Sequence, residues 1–279
     1  MTLYLVGTPI GNLGDMTFRA VETLKAVDLI AAEDTRESRK LLNHFGIDKP
    51  TTAYHEHNRR EAGARLIARL LGGESIALIT DAGMPGISDP GEDLVKEAIA
   101  AGIPVVPIPG PTALVTALVA SGLPAGRFAF EGFLPREPKL RRRKLRELAG
   151  EPRTMVFYEA PHRLDDTLAD MIGVWGEDRQ ATVGRELTKQ FEEHRRGTLA
   201  ELVAHFTATA PRGEIVLTVA GGPPVEVELG DWRAQLGAAL AEGQKATDAA
   251  KAIAKTHGLS RQDVYKAAQE LARPAPKDP

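Results

Sequence analysis

Residues 75–91, SIALITDAGMPGISDPG, decide the fold. Residues 75–80 form a short apolar run without strict alternation, the pattern of a strand buried on both faces, as in a parallel sheet. A loop dense in Gly and Pro follows at once. Asp89, Pro90 and Glu92 then carry the marks of a helix start: an N-cap residue, a proline suited to the first turn, and an acid three after the cap. On this reading Asp89 is structural. Asp81, Ala82, Gly83, Ile87 and Ser88 are not explained by capping. Small residues at the carboxyl end of a strand let backbone groups approach a ligand closely, so these residues read as a binding floor.

Working outward, the same strand–loop–helix rhythm recurs. Residues 3–6, 29–32, 51–54 and 104–108 read as further strands with amphipathic segments between them, which predicts an α/β unit over residues 1–123. Two more Gly/Pro-rich loops follow strands in this unit. Residues 7–14, GTPIGNLG, match neither the dinucleotide fingerprint nor a phosphate P-loop, and alone they read as an ordinary connection. Residues 107–113, PIPGPTA, join a strand to a helix. Three such loops at the carboxyl edge of one sheet are expected to line a single crevice for a small ligand.

A turn-rich break at residues 121–126 begins a second α/β unit, residues 124–222, with strands at 128–131, 154–158, 181–185, 191–195 and 214–220. Fewer crossovers predict a mixed sheet. Beyond the Gly-Pro-Pro at 222–224 the composition turns to Ala, Lys and Gln. Residues 230–273 read as a helix-turn-helix-like segment, with a helix over 246–255, a turn at 257–259 and a second helix opened by Ser260 and Asp263. A hairpin that only packs on the body or on a second subunit fits the pattern as well. The tail after residue 273 has the composition of disorder.

The chain has 279 residues, 43% hydrophobic, enough to bury a core in each of two domains. No apolar run approaches the roughly 20 residues of a membrane helix, and the first residues begin a strand without a basic leader. A cytoplasmic protein with no membrane association is expected. With no Cys, disulfides, thiolate metal sites and cysteine nucleophiles are excluded. His55 and His57 lack a third ligand at metal spacing, so no metal is expected. Net charge is −3, but residues 139–146, KLRRRKLR, form a dense basic run. As a helix it places Leu140, Leu145 and Leu148 on one side and Arg142, Arg143 and Arg146 on the other. A single-sign charged face beside a ligand crevice predicts contact with RNA phosphates.

The motifs LVGTPIGNLGDMTFRA (5–20), AEDTRESRKLL (32–42), TDAGMPGISDPG (80–91), PIPGPTA (107–113), FEGFLPR (130–136), FYEAPHRL (157–164) and RELTKQFEEHRRGTL (185–199) occur in one order. That series resembles the tetrapyrrole methylase-like superfamily and, within it, the family of ribosomal RNA small subunit methyltransferases I. The resemblance implies two α/β domains with a cofactor cleft between them, plus a small C-terminal helical hairpin. It implies S-adenosylmethionine-dependent methylation of a cytidine ribose 2′-hydroxyl in the decoding region of 16S rRNA, within the small ribosomal subunit, by a homodimer. Carried onto matching positions, it implies a donor site of Pro9, Asp81, Ala82, Ile87, Ser88, Thr112 and Ala113, closed by Tyr158 and Leu187 from the second domain. Two rival readings are a superfamily methyltransferase acting on a tetrapyrrole or a protein side chain, and a non-catalytic RNA-binding relative.

Methyl transfer to a hydroxyl needs in-line positioning and a proton acceptor, and no metal. Glu159 and Lys189 sit in mixed acid–base stretches at the expected cleft, and a lysine with lowered pKa could serve as that acceptor. His162 could hold phosphates. In residues 32–42, Asp34 can cap the following helix with Glu37 in the reciprocal role. Glu33 and Arg36 are left over at the end of a strand, and the resemblance turns them toward substrate RNA. Glu33, Glu159 and Lys189 are the candidate catalytic groups, with no single base chosen among them.

Overall fold

The computed structural model describes residues 1–222, 232–257 and 260–271. Residues 1–222 form one compact unit and the C-terminal residues a second.

The first half of the larger unit is β1 (Thr2–Val6), α1 (Phe18–Ala26), β2 (Leu29–Ala32), α2 (Thr35–His44), β3 (Thr51–Ala53), α3 (Arg59–Leu71), β4 (Ser75–Ile79), α4 (Glu92–Ala100), β5 (Val105–Ile108) and α5 (Ala113–Ala120). Its sheet has the order β3-β2-β4-β1-β5 with every pair parallel. The inner strands β2, β4 and β1 are apolar because both of their faces are covered, whereas the edge strand β3 is Thr-Thr-Ala and the edge strand β5 leaves Val106 exposed. Leu3, Leu29, Ala31, Ile76 and Leu78 pack with α3 and α4. Val6, Ile30, Ala32, Ala77 and Ile79 point the other way, onto α1 and α2. The neighbours β1 and β4 therefore send their helices to opposite faces, which opens a crevice between their carboxyl ends. Thr8 and Gly83 bridge its floor, each amide donating to the other's carbonyl at 2.9 and 3.1 Å.

The second half comprises β6 (Phe128–Phe133), α6 (Pro138–Glu147), β7 (Thr154–Glu159), α7 (Leu164–Trp175), β8 (Gln180–Arg185), β9 (Glu193–Thr198), α8 (Leu199–Ala208) and β10 (Ile215–Val219). Its sheet, β6-β7-β10-β8-β9, is mixed: β6 and β7 are parallel and the other pairs antiparallel. One face buries Met155, Phe157, Val183 and Leu217 under α6, α7 and α8. On the other face Val156 and Val216 pack against Leu114, Ala117 and Leu118 of α5 and against Ile10. This apolar seam joins the two lobes.

Two sequence expectations shift. The strand predicted at 191–195 is β9 at Glu193–Thr198. Residues 189–192 are consumed by a turn in which Glu192 donates its amide to the Lys189 carbonyl and accepts the Thr188 amide on its carboxylate. In α6 the inward residues are Arg141 and Leu145, while Leu140 is 43% exposed. Arg141 tolerates burial because Asp170 of α7 accepts from its guanidinium at 2.7 Å.

In the smaller unit α9 (Trp232–Ala241) joins α10 (Ala246–His257) and α11 (Arg261–Leu271) around Leu236, Ala250, Val264 and Ala268. The predicted hairpin is thus part of a three-helix cluster. Residues 230, 231, 258, 259 and 272–279, which include much of the predicted turn and the whole tail, lie outside the described residues. No described helix is long and apolar enough to cross a membrane.

Candidate active site

Glycines let the crevice loops meet. A Cβ on Gly7 would lie 2.8 Å from the Gly110 Cα, and one on Gly110 would lie 2.9 Å from the Gly7 backbone, so the loops after β1 and β5 cross in direct backbone contact. The loop after β4 lies alongside. Together with the ends of β7 and β10 these loops enclose a cleft of about 380 Å³ between the lobes, within the usual range for a small-molecule site.

Seven of the nine residues carried into the donor site line this cleft: Ala82, Ile87, Ser88, Thr112, Ala113, Tyr158 and Leu187. Pro9 and Asp81 line an adjoining groove that shares Ile10, Ala82 and Glu214 with the cleft. Tyr158 is fixed edge-on by Phe130 and Phe133, with ring centroids 5.0 and 5.5 Å away. The backbone is strained around the cleft. Ser88, Glu186 and Thr188 take φ of 61°, 50° and 67°, each costing about 1 to 3 kcal/mol. Ser88 lines the cleft and the other two flank Leu187.

The carboxylates divide sharply. Glu159 is 3% exposed. It accepts the Thr167 hydroxyl at 2.7 Å and the Ala160 amide at 2.8 Å, with the Arg163 guanidinium at 3.3 Å. Its lone pairs are committed to holding the end of β7. Glu214 pairs with Lys189 at 3.1 Å. Asp89 projects into the cleft and makes neither a hydrogen bond nor an ion pair among the described residues. Burial, reinforced by the charges of Glu33 and Asp81, pushes its carboxyl up to about 7.

This overturns the reading of Asp89 as an N-cap. The helix starts two residues later, at Glu92, with Gly91 as its cap residue at φ 150°. Gly91 is forced there because a Cβ would press on Gly86 and Leu78 at 3.1 Å. The chain makes one further turn before becoming helical, and Asp89 is carried into the cleft. The sequence hint was Gly91 itself, which the Asp-Pro cap signature masked. Ile10, Phe133 and Val216, which complete the cleft walls, also escaped the sequence reading.

Glu33 and Asp81 stand together at the ends of β2 and β4. The Asp81 carboxylate accepts the Asp34 amide at 3.2 Å, and Glu33 lies 3.5 Å from the Asp81 amide. Burial, then the Asp81 charge, raises the Glu33 carboxyl above its ordinary value. Asp34 caps α2 by accepting the Arg36 amide at 2.8 Å. The reciprocal bond from Glu37 is replaced by a pair with Lys40 at 2.7 Å. Arg36 reaches back to Asp34 at 2.7 Å with its side chain 87% exposed.

Lys189 does not have the lowered pKa expected of a base. Burial pulls it down, but hydrogen bonds to Glu186 at 2.9 Å and Glu214 at 3.1 Å outweigh that, and its pKa is raised. It lines the adjoining groove over Gly11. His162 is exposed in a single helical turn, Pro161–Arg163, just after β7. Arg142 and Arg143 pair with Asp170 and Glu147, and Arg146 is exposed without an ion pair among the described residues. Among the described residues no three His, Asp or Glu side chains are arranged to hold a metal ion.

Comparisons with known proteins bear on this geometry. Residues 2–203 match the family described as tetrapyrrole (corrin/porphyrin) methylases. The chain is 50% identical over 272 residues to a ribosomal RNA small subunit methyltransferase I of Synechocystis sp., covering 96% of this chain and 98% of the relative. It is 52% identical over 270 residues to the protein of that name in Mesorhizobium japonicum, covering 96% and 92%. A third protein of that name, from Pseudomonas aeruginosa, is 55% identical over 229 residues, 81% of each chain. Among solved structures, a uroporphyrin-III-C-methyltransferase from Thermus thermophilus superposes with TM-score 0.56 at 22% identity, covering 78% of this chain and 94% of its own. A cobalt precorrin-4 methyltransferase superposes with TM-score 0.59 at 18% identity over the same shares. These two share the fold.

Proposed function

The chain belongs to the ribosomal RNA small subunit methyltransferase I family, within the tetrapyrrole (corrin/porphyrin) methylases, and on that premise we propose that its acceptor is a cytidine ribose 2′-hydroxyl in the decoding region of 16S rRNA. It is an S-adenosylmethionine-dependent rRNA methyltransferase. In our reading the substrate is the small ribosomal subunit, and the enzyme works in the cytoplasm as a homodimer.

The cleft fits the donor. Ala82, Gly83 and Ala113 leave space over the floor, and Ile10, Tyr158, Leu187 and Val216 supply apolar walls for an adenine ring. The observation that carries the reading is the sign of the charge: Asp89, Glu159 and Glu214 lie on the cleft wall, and among the described residues no Lys, Arg or His does. An acidic, partly desolvated cleft favours a ligand whose reactive centre is a sulfonium cation. When bound, S-adenosylmethionine supplies an activated methyl group to an oxygen held in line with it.

The protein's own residues supply the rest. Tyr158 and Leu187 hold the adenosine side. Glu33, beside Asp81 at the end of β2, orients the ribose, and Arg36, His162, Arg142, Arg143 and Arg146 hold backbone phosphates. Glu159 serves as a scaffold that sets the end of β7, and Lys189 stays an ammonium beside the adjoining groove.

The test is methyl transfer from labelled donor to purified small subunits and to naked 16S rRNA, followed by digestion to nucleosides. Label in 2′-O-methylcytidine is expected, with subunits the better substrate. Label in a base or in protein sinks the ribose assignment.

A further inference from the structure

The strand β6 does not run straight. It pairs in parallel with β7, Ala129 opposite Met155 and Phe130 opposite Val156, and then slips by one residue so that Gly132 meets Phe157 and Phe133 meets Tyr158. Regular alternation would set Glu131 opposite Phe157, on the buried core face, and would turn Phe133 to that face as well. The bulge reverses this. Glu131 pairs with Lys144 at 2.8 Å, and Phe133 takes its place beside Tyr158 on the wall of the cleft. Gly132 takes φ 63°, a left-handed conformation that strains residues with a side chain. Bulges next to active sites re-aim a side chain in this way.

Phe133 lines the cleft and is 55% exposed, which places its ring at the mouth. It is held from both sides. The Tyr158 ring stands edge-on to it at 5.5 Å. Just after it Leu134 is buried in the core of the second lobe, and Arg163 donates to the Leu134 and Pro135 carbonyls at 2.8 and 3.2 Å while pairing with Glu159. Single exposed phenylalanines are ordinary on a protein surface, and Phe18 and Phe191 are exposed without lining the cleft. Phe133 differs because the backbone is bulged and clamped to hold it at a ligand site.

Resting on the ribose-methylation reading above, we propose that Phe133 is the platform on which the cytosine base of the acceptor nucleotide stacks. The base is joined to the ribose at the carbon next to the one that bears the reacting hydroxyl. Holding that oxygen at the methyl group therefore brings the base to the mouth of the cleft. A nucleotide that enters leaves the stack of its neighbours, and an aromatic ring replaces the contact it gives up. The charge nearby agrees. The basic helix α6, with Arg142, Arg143 and Arg146, begins at Pro138, just beyond the clamped segment, so one continuous stretch of chain holds both the base and backbone phosphates. A phenyl ring makes no directional hydrogen bond to a base edge. Phe133 thus sets where the nucleotide lies and leaves the choice of base to other groups.

The test measures donor affinity by calorimetry, small-subunit affinity by filter binding, and single-turnover methyl transfer at saturating subunits. It compares the full-length wild type with Phe133→Ala, Phe133→Leu and Phe133→Tyr. Loss of the ring should lower the saturated rate about 5- to 150-fold, the range of one base–aromatic stack. Donor affinity, set inside the cleft, and subunit affinity, set largely by phosphate contacts, should stay within about threefold of wild type. Phe133→Leu keeps an apolar side chain without a ring face and should be as slow as Phe133→Ala, whereas Phe133→Tyr should restore the rate. A fall in donor affinity in parallel with rate assigns Phe133 to the donor and overturns the proposal. So does a Phe133→Leu protein as fast as wild type, which makes the side chain a plain apolar wall. If the wild-type protein itself places no methyl on ribose, the underlying reading fails; if wild type does and Phe133→Ala turns over normally, the Phe133 assignment alone fails.

Discussion

Glu159, at the end of β7 in the second lobe, has its oxygens taken by Thr167, Arg163 and the Ala160 amide, whereas Asp89, on the wall of the same cleft but from the first lobe, has no partner among the described residues. The contrast extends beyond this pair. In the second lobe Arg185 meets Glu193, Arg141 meets Asp170, and Lys189 joins Glu186 to Glu214. At the carboxyl edge of the first sheet, burial raises the carboxyls of Glu33, Asp81 and Asp89, and neighbouring acids add to it: Asp81 for Glu33, Asp34 and Glu37 for Asp81, and Glu33 and Asp81 for Asp89. A parallel sheet ends in loops that diverge to opposite faces, so polar groups there face a gap. In the mixed sheet the β8–β9 hairpin brings Arg185 to Glu193, and packed helices bring Arg141 to Asp170.

The largest effect that could break this division is on stability. Glu159→Ala leaves Arg163 and Thr167 without their acceptor in a buried position, and a loss of about 3 to 5 kcal/mol is expected in denaturant unfolding. A stable Glu159→Ala protein with impaired turnover would move Glu159 from scaffold to chemistry.

Next is Glu33→Ala, which should lower methyl transfer about 10- to 100-fold with donor affinity unchanged in calorimetry. A parallel fall in both would place Glu33 on the donor.

The Asp89 carboxyl gives a linkage test. Its folded pKa, about 7, lies above its unfolded value, so its contribution is most favourable at low pH and is lost as pH rises through about 4 to 7. Asp89→Asn should therefore be more stable than wild type at pH 8, by on the order of 2 kcal/mol, and equal to it near pH 3. A destabilised variant at pH 8 would mean that Asp89 has a partner in solution.

Replacing Arg142, Arg143 and Arg146 together with Ala should weaken subunit binding about tenfold and flatten its salt dependence, leaving donor affinity alone. The smallest effect is Thr198→Ala. It removes a capping box in which Thr198 accepts the Glu201 amide and Glu201 accepts the Thr198 amide, costing about 1 kcal/mol in unfolding.

The strands and the three loops were legible because continuous apolar runs and Gly/Pro clusters are local signals. Ala82 and Ser88 were legible in the loop itself, as small residues that capping leaves unexplained, whereas Tyr158 came only from matching whole motifs; with Thr112 they line one cleft. What escaped was set by partners distant in sequence. Arg141 turns inward because Asp170, 29 residues on, waits for it, and periodicity alone prefers Leu140. Lys189 is kept charged by Glu214, 25 residues away. Asp89 bore a cap signature, and only the crowding of Gly91 against Leu78 and Gly86 shows that the helix starts later.

The central claim is that an unpartnered carboxylate in the first lobe holds a proton near neutrality inside the cleft. Carbon NMR of the aspartate carboxyl groups, followed from pH 3 to 9 in the wild-type protein and in Asp89→Asn, tests it directly. One aspartate carboxyl titrating close to pH 7, absent from the variant, is predicted. Titration of every aspartate in the ordinary range near pH 4 would contradict it.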